Sequence, residues 1–168
     1  MSNLLVPTRY VPFGLTTKDK KKQVGMLKRS RKLYKSKKYF TRKSVKSFKS
    51  KPSNHVSVAR KMYKVDKITP NKELAMATGC SVGALRKIVK KGEGAYYSSG
   101  SRPNQTAQSW GLARLASAIT AGKAAAVDYN IIEDGCDHNK RAFRLARQSR
   151  LELKKYKYGH SKTQKRSV

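Results

Sequence analysis

A mainly α protein, a small helical domain with extended basic N- and C-terminal arms, is the fold predicted here. Three observations predict it. The middle of the chain spaces its apolar residues at helical intervals between glycine stops. Both ends are crowded with Lys and Arg. The run from Lys18 to Lys51 is mostly Lys, Arg and Ser, too poor in apolar side chains to offset its chain entropy.

Charge divides the 168 residues into three. Of the 40 Lys and Arg set against 9 Asp and Glu, 21 lie in residues 1–67 with only Asp19 and Asp66 to oppose them. Residues 68–138 are almost neutral, with eight basic and six acidic side chains. Residues 139–168 carry eleven basic residues and Glu152. The expected organisation is therefore a basic extended arm over 1–67, a small helical domain over 68–138 with a Gly/Ser-rich loop at 92–105, and a basic helix and tail over 139–168.

Within the middle, Thr69 caps a helix that Pro70 begins and Gly79 ends. Ser81 caps a second, Val82 to about Lys91, with Val82, Leu85, Ile88 and Val89 on one face and Gly92 as its stop. Tyr96 and Tyr97 fit a short strand inside the loop that follows. A third helix runs over 106–120 and buries part of Trp110. A fourth runs over 123–133, broken off from the third by Gly122. A fifth, capped by Asp137 or Asn139, continues to about Lys157 and spaces Arg141, Arg144, Arg147 and Arg150 three apart.

Several classes are excluded. No stretch approaches the roughly 18 to 20 apolar residues that cross a bilayer, and Pro7, Arg9 and Pro12 interrupt any leader-like core. Two cysteines, Cys80 and Cys136, are too few for a disulfide framework. Cys80, Cys136 and His138 supply three zinc ligands where a structural site takes four, so they read as buried thiols and a surface histidine. His55, His138 and His160 have no partner spacing for a triad, and Asp128, Glu133 and Asp134 are ordinary helix-surface acids. Neither an enzyme nor a cofactor is expected.

Two segments carry more specific readings. Leu74 to Ile88 has helix-turn-helix spacing, with Ala75 at the crossing and Gly79 in the turn. Its second helix would bring Arg86, Lys87 and Lys90 to DNA, although an αα-hairpin has the same packing needs. Gly92 to Arg114 gathers glycines, serines and Arg102 before a helix start, as an anion site does. It matches neither the P-loop nor the dinucleotide fingerprint. The favoured reading is a hydrogen-bonded hub in which Arg102 and Arg114 bind carbonyls or carboxylates and Trp110 fills the core.

The arms are the strongest signal. The residues expected to meet a partner are Lys20, Lys21, Lys22, Lys28, Arg29, Arg31 and Lys32, then Lys37, Lys38, Arg42 and Lys43. Arg86, Lys87, Lys90, Arg102, Arg144 and Arg147 complete the set. About 6–10 phosphate contacts would weaken binding roughly 10³- to 10⁵-fold between 50 and 200 mM salt. Tyr34, Tyr39, Phe40, Tyr63, Tyr156 and Tyr158 would stack on bases or anchor in protein grooves. The expected partners are double-stranded DNA, acidic protein surfaces or both, with no membrane span and no small-molecule substrate.

The run Gly94-Ala-Tyr-Tyr-Ser-Ser-Gly-Ser-Arg-Pro-Asn-Gln-Thr106 is distinctive, as are Ser109-Trp-Gly111 and Ala113-Arg-Leu-Ala-Ser117. With Arg31-Lys-Leu-Tyr34, Tyr39-Phe-Thr-Arg42 and Ser53-Asn-His55, it resembles a small basic family of unknown function. That family is encoded by large DNA viruses of algae and other protists, with related segments in tailed phages. The similarity covers most of residues 18–147. It implies a virus-encoded protein in or near the particle, so that the acidic protein surfaces would be those of capsid proteins, and one present in the host nucleus or cytoplasm during assembly. It carries over no catalytic residue.

Overall fold

The computed structural model describes residues 3–155 and 164–168. Among them are eight α-helices and one two-stranded sheet, so the chain is mainly α as expected. It divides into two compact units, one of residues 1–51, 93–110 and 161–168, the other of residues 52–92 and 111–160.

The first unit begins with β1 (Leu5–Pro7), which pairs antiparallel with β2 (Lys165–Ser167) so that Val6 faces Arg166. α1 follows (Thr17–Lys35). Thr16 caps it by accepting from the Asp19 amide, and Asp19 places its charge in the first turn. Residues 18–51 were expected to be an extended, disordered arm; 17–35 are helical instead. The reason lies on the buried face, where Gln23, Met26, Leu27 and Ser30 recur at helical spacing. Two of those four are polar, and each finds a partner. Gln23 donates to the Tyr10 carbonyl at 3.1 Å and Ser30 to the Tyr97 carbonyl at 3.0 Å.

α1 ends in a Schellman motif. The Lys38 amide donates to the Leu33 carbonyl and the Lys37 amide to Tyr34, with Lys37 at φ 57° where glycine is usual. Beyond it the chain runs without regular structure to residue 53. A small apolar cluster of Val6, Tyr10, Val11 and Leu27 completes the unit, with Trp110 packed against it.

The second unit holds α2 (Asn54–Tyr63) and α3 (Lys72–Thr78). α3 starts later than Thr69-Pro70 predicted. Asn71 is the true cap, accepting from the Leu74 amide while donating to Thr69. Gly79 and two further residues turn the chain into α4 (Val82–Ser98), with Ser81 capping it through the Ala84 amide. Gly92 does not stop α4. α5 (Ala107–Ala118) crosses it there, and a Cβ on Gly92 would lie 2.6 Å from the Gly111 Cα. Glycine is needed for close approach, and α4 runs on through Tyr96 and Tyr97, which are helical and not a strand. The loop expected at 92–105 shrinks accordingly. The division between the units falls within α4 and α5.

The single helix expected over 123–133 is two, α6 (Lys123–Val127) and α7 (Tyr129–Gly135), separated at Asp128. α8 (Arg141–Lys155) packs against both. Leu74, Leu85, Ile88, Leu115, Ile119 and Ile132 are fully buried within a core cluster of 21 residues. Cys80 and Cys136 are not free thiols. An antiparallel bridge sets them opposite each other, and they form a disulfide. Ser81 donates to the Gly135 carbonyl and Asp137 to the Gly79 carbonyl, both at 2.8 Å, on either side of it. No helix among the described residues is long and apolar enough to cross a membrane.

Candidate polyanion interface

The interface is built on α1. Lys18, Lys20, Lys21, Lys22, Arg29, Lys32 and Lys35 are exposed. Asp19, the only acid before Asp66, is turned inward and buried. Its carboxylate accepts from the Ser47 hydroxyl at 2.6 Å and the Ser47 amide at 2.7 Å. Those two bonds, the hydroxyl first, hold it below the usual carboxylate value. Every charge exposed on α1 is thereby positive, over about 26 Å of helix.

The segment after α1 is equally fixed. Asn104 accepts from the Val45 amide at 2.7 Å and donates to the Val45 and Phe48 carbonyls at 3.1 and 2.7 Å. Lys22 donates to the Ser44 carbonyl at 2.8 Å. Arg42 makes the central knot. It was expected to meet a phosphate; it is buried. Its guanidinium donates to Ser30, the Tyr96 carbonyl and Ser101, all within 2.9 Å, and lies 3.8 Å from the Tyr96 ring centroid. Burial pulls its pKa below the ordinary arginine value. Gly100, at φ 129°, lets the loop close on this knot, since a Cβ there would meet Leu27 at 2.7 Å. Arg31 also turns inward, donating to the Ser99 and Leu5 carbonyls at 2.8 and 3.4 Å.

The Ser-Gly-Ser-Arg-Pro-Asn run therefore clamps the basic segment, through Ser101 and Asn104. Arg102, expected in the hub, is exposed. Trp110 does serve as a hub residue, edge-on to Tyr10 at 6.0 Å. Arg114 is the hub of the second unit: it grips the fully buried Asp128 carboxylate with two bonds of 2.8 Å, and Lys91 adds a third contact at 3.2 Å. Asp128 was read as a surface acid; this pairing accounts for its burial.

The other expected contacts scatter. Lys37, Lys38 and Lys43 are exposed beside α1, and Lys28 lies on its outer side. Arg86, Lys87 and Lys90 are exposed on α4, after a turn of helix-turn-helix length. Arg144 and Arg147 on α8 line a shallow groove with His138, which stacks on Phe143 at 3.9 Å. Of the aromatics, Tyr63 is buried, donating to the Ile119 carbonyl, and is no contact residue. Tyr156 and Tyr158 lie outside the described residues. Phe40 sits under Arg29 at 4.6 Å. Tyr39 is 69% exposed and Tyr34 37%. Asp19, Asn104 and Tyr97 were not singled out from sequence. Only Pro103-Asn104, a turn pair, carried a signal.

A family model described as a family of unknown function (DUF5824) matches residues 7–142. The chain belongs to the DUF5824 family. The matched span of this DUF5824 protein takes in α1, the clamped segment and the loop that clamps it, ending in the first turn of α8. No curated protein and no solved structure matches the chain.

Proposed function

We propose that this protein is a non-enzymatic structural component of a virion, a minor capsid or internal component. Its basic surfaces contact packaged nucleic acid or acidic faces of neighbouring capsid proteins. One observation carries the reading: α1 keeps its single acid inward on Ser47 while eight of its cations, Lys28 among them, are exposed, and an internal hydrogen-bonded clamp holds the segment that follows. Such a surface repels itself unless a polyanion meets it. The resemblance read from the sequence, to a basic family of large DNA viruses, supports the setting. Mass spectrometry of purified, nuclease-treated particles tests it. The chain should be recovered with the capsid; its presence only in infected-cell extract would overturn the virion assignment.

A second reading is favoured by α3 and α4, whose three-residue turn precedes exposed Arg86, Lys87 and Lys90. In that reading the protein docks on duplex DNA through α4. Arg86→Ala with Lys87→Ala should then relax sequence preference; binding that never had one removes this reading.

A further inference from the structure

The aromatic side chains of this unit differ in exposure. Tyr10 and Tyr96 are buried, Phe13 is 79% exposed but lies under the Arg166 guanidinium at 4.2 Å, and Tyr39 offers a ring that is 69% exposed. It is held and not loose. Its centroid lies 5.0 Å from Tyr97 and 6.2 Å from Tyr34, and Tyr97 in turn meets Tyr96 edge-on at 5.0 Å. The backbone on both sides is fixed as well. The Schellman motif locks Lys37 and Lys38 before it, and the Arg42 amide donates to the Tyr96 hydroxyl at 2.9 Å after it. Lys35, Lys37 and Lys38, one to four residues before Tyr39 in the chain, are exposed.

We propose that Tyr39, with Tyr34 and the lysines at positions 35, 37 and 38, forms a stacking platform for single-stranded nucleic acid. The inference rests on the polyanion reading above and names the partner within it. A rigid, solvent-facing ring among cations suits a base whose face is free, with phosphates on either side. Duplex DNA hides its base faces in the stack and offers this ring nothing beyond its charge. The carboxylates of an acidic protein surface would meet the lysines but are repelled by the negative face of the ring. Because the ring packs on Tyr97 and Tyr34 and the backbone before it is held by the Schellman motif, little ordering of the ring is left to oppose binding.

Fluorescence anisotropy with the full chain tests it, using a labelled oligothymidylate of roughly 16 nucleotides and a duplex of equal length. At about 200 mM salt, where phosphate attraction is weakened, the single strand should bind at least tenfold more tightly. Tyr39→Ala should cost roughly tenfold on the single strand and leave the duplex within about twofold. Tyr39→Phe should retain wild-type binding, and unchanged thermal melting would show that each variant is folded. Equal affinity for the two forms, or a Tyr39→Ala variant that binds the single strand normally, would overturn the platform while the basic face stood. Failure of both probes to bind at about 50 mM salt would overturn the platform together with the nucleic-acid half of the wider reading, and would turn the basic face to acidic protein surfaces.

Discussion

The two units are held together by different physics. The second buries an apolar cluster of 21 residues around one ion pair, Arg114 with Asp128, and adds a disulfide. The first buries a cluster of four, Val6, Tyr10, Val11 and Leu27, and beside it sets Asp19, Gln23, Ser30, Arg42 and Ser101. Each of those polar groups is paired inside the unit. A helix committed to cations on its outer face has few apolar residues left for its inner one. It is ordered instead by hydrogen bonds whose loss leaves buried groups unsatisfied. Area burial alone would have ranked this unit as marginal.

Reducing the Cys80–Cys136 bond should have the largest effect and should strike one unit only. The bond closes a loop of 56 residues, for which loss of the constraint costs about 4 kcal/mol in the chain-entropy picture. Thermal melting with and without reductant, read by hydrogen exchange, should show α3, α7 and α8 opening while α1 keeps its protection. Equal loosening of α1 would blur the distinction between the units.

Next comes Arg42→Met, which leaves Ser30, Ser101 and the Tyr96 carbonyl without their donor. It should cost about 3 kcal/mol and expose the segment around Arg42 to proteolysis, with the second unit unaffected. A loss below about 0.5 kcal/mol would mean that the knot is replaceable by packing.

Acid and alkali should separate the units too. Asp19 is depressed by Ser47, so its contribution is full above its ordinary value of 3.8 and fades as pH falls through the lower folded value. Tyr63 is raised by burial to about 12 from 10.0, so its contribution is full below pH 10 and is lost as pH rises toward about 12. Hydrogen exchange at the Ser47 amide should rise at the acid end, and tyrosinate absorbance should lag at the alkaline end. Asp19→Asn should remove the first effect alone.

These contrasts explain what could be read from sequence. α3, α5 and α8 were legible because apolar spacing, caps and glycines act within a few residues. α1 was not, because Gln23 and Ser30 become core residues only when Tyr10 and Tyr97 arrive from elsewhere in the chain. The same holds for Gly92, read locally as a stop until Gly111 crosses it. The burial of Asp128 and the disulfide depend on partners 14 and 56 residues away. Of the candidate site, the outward lysines were plain from charge. Arg42 was misread because nothing in a Lys/Arg run marks a guanidinium that turns inward.

The smallest expected effect concerns the end of α1. Lys37 sits at φ 57°, where a β-carbon is strained. Lys37→Gly should therefore stabilise the first unit by up to about 1 kcal/mol, read as a small rise in its melting midpoint.

The most direct measurement is the salt dependence of oligonucleotide binding by the full chain and by a variant with Lys20, Lys21, Lys32 and Lys35 changed to Ser. Four lost phosphate contacts should flatten the slope of log K against log salt by roughly 3, with the fold intact. A variant that binds with the native slope and affinity would show that the cationic face of α1 meets no polyanion.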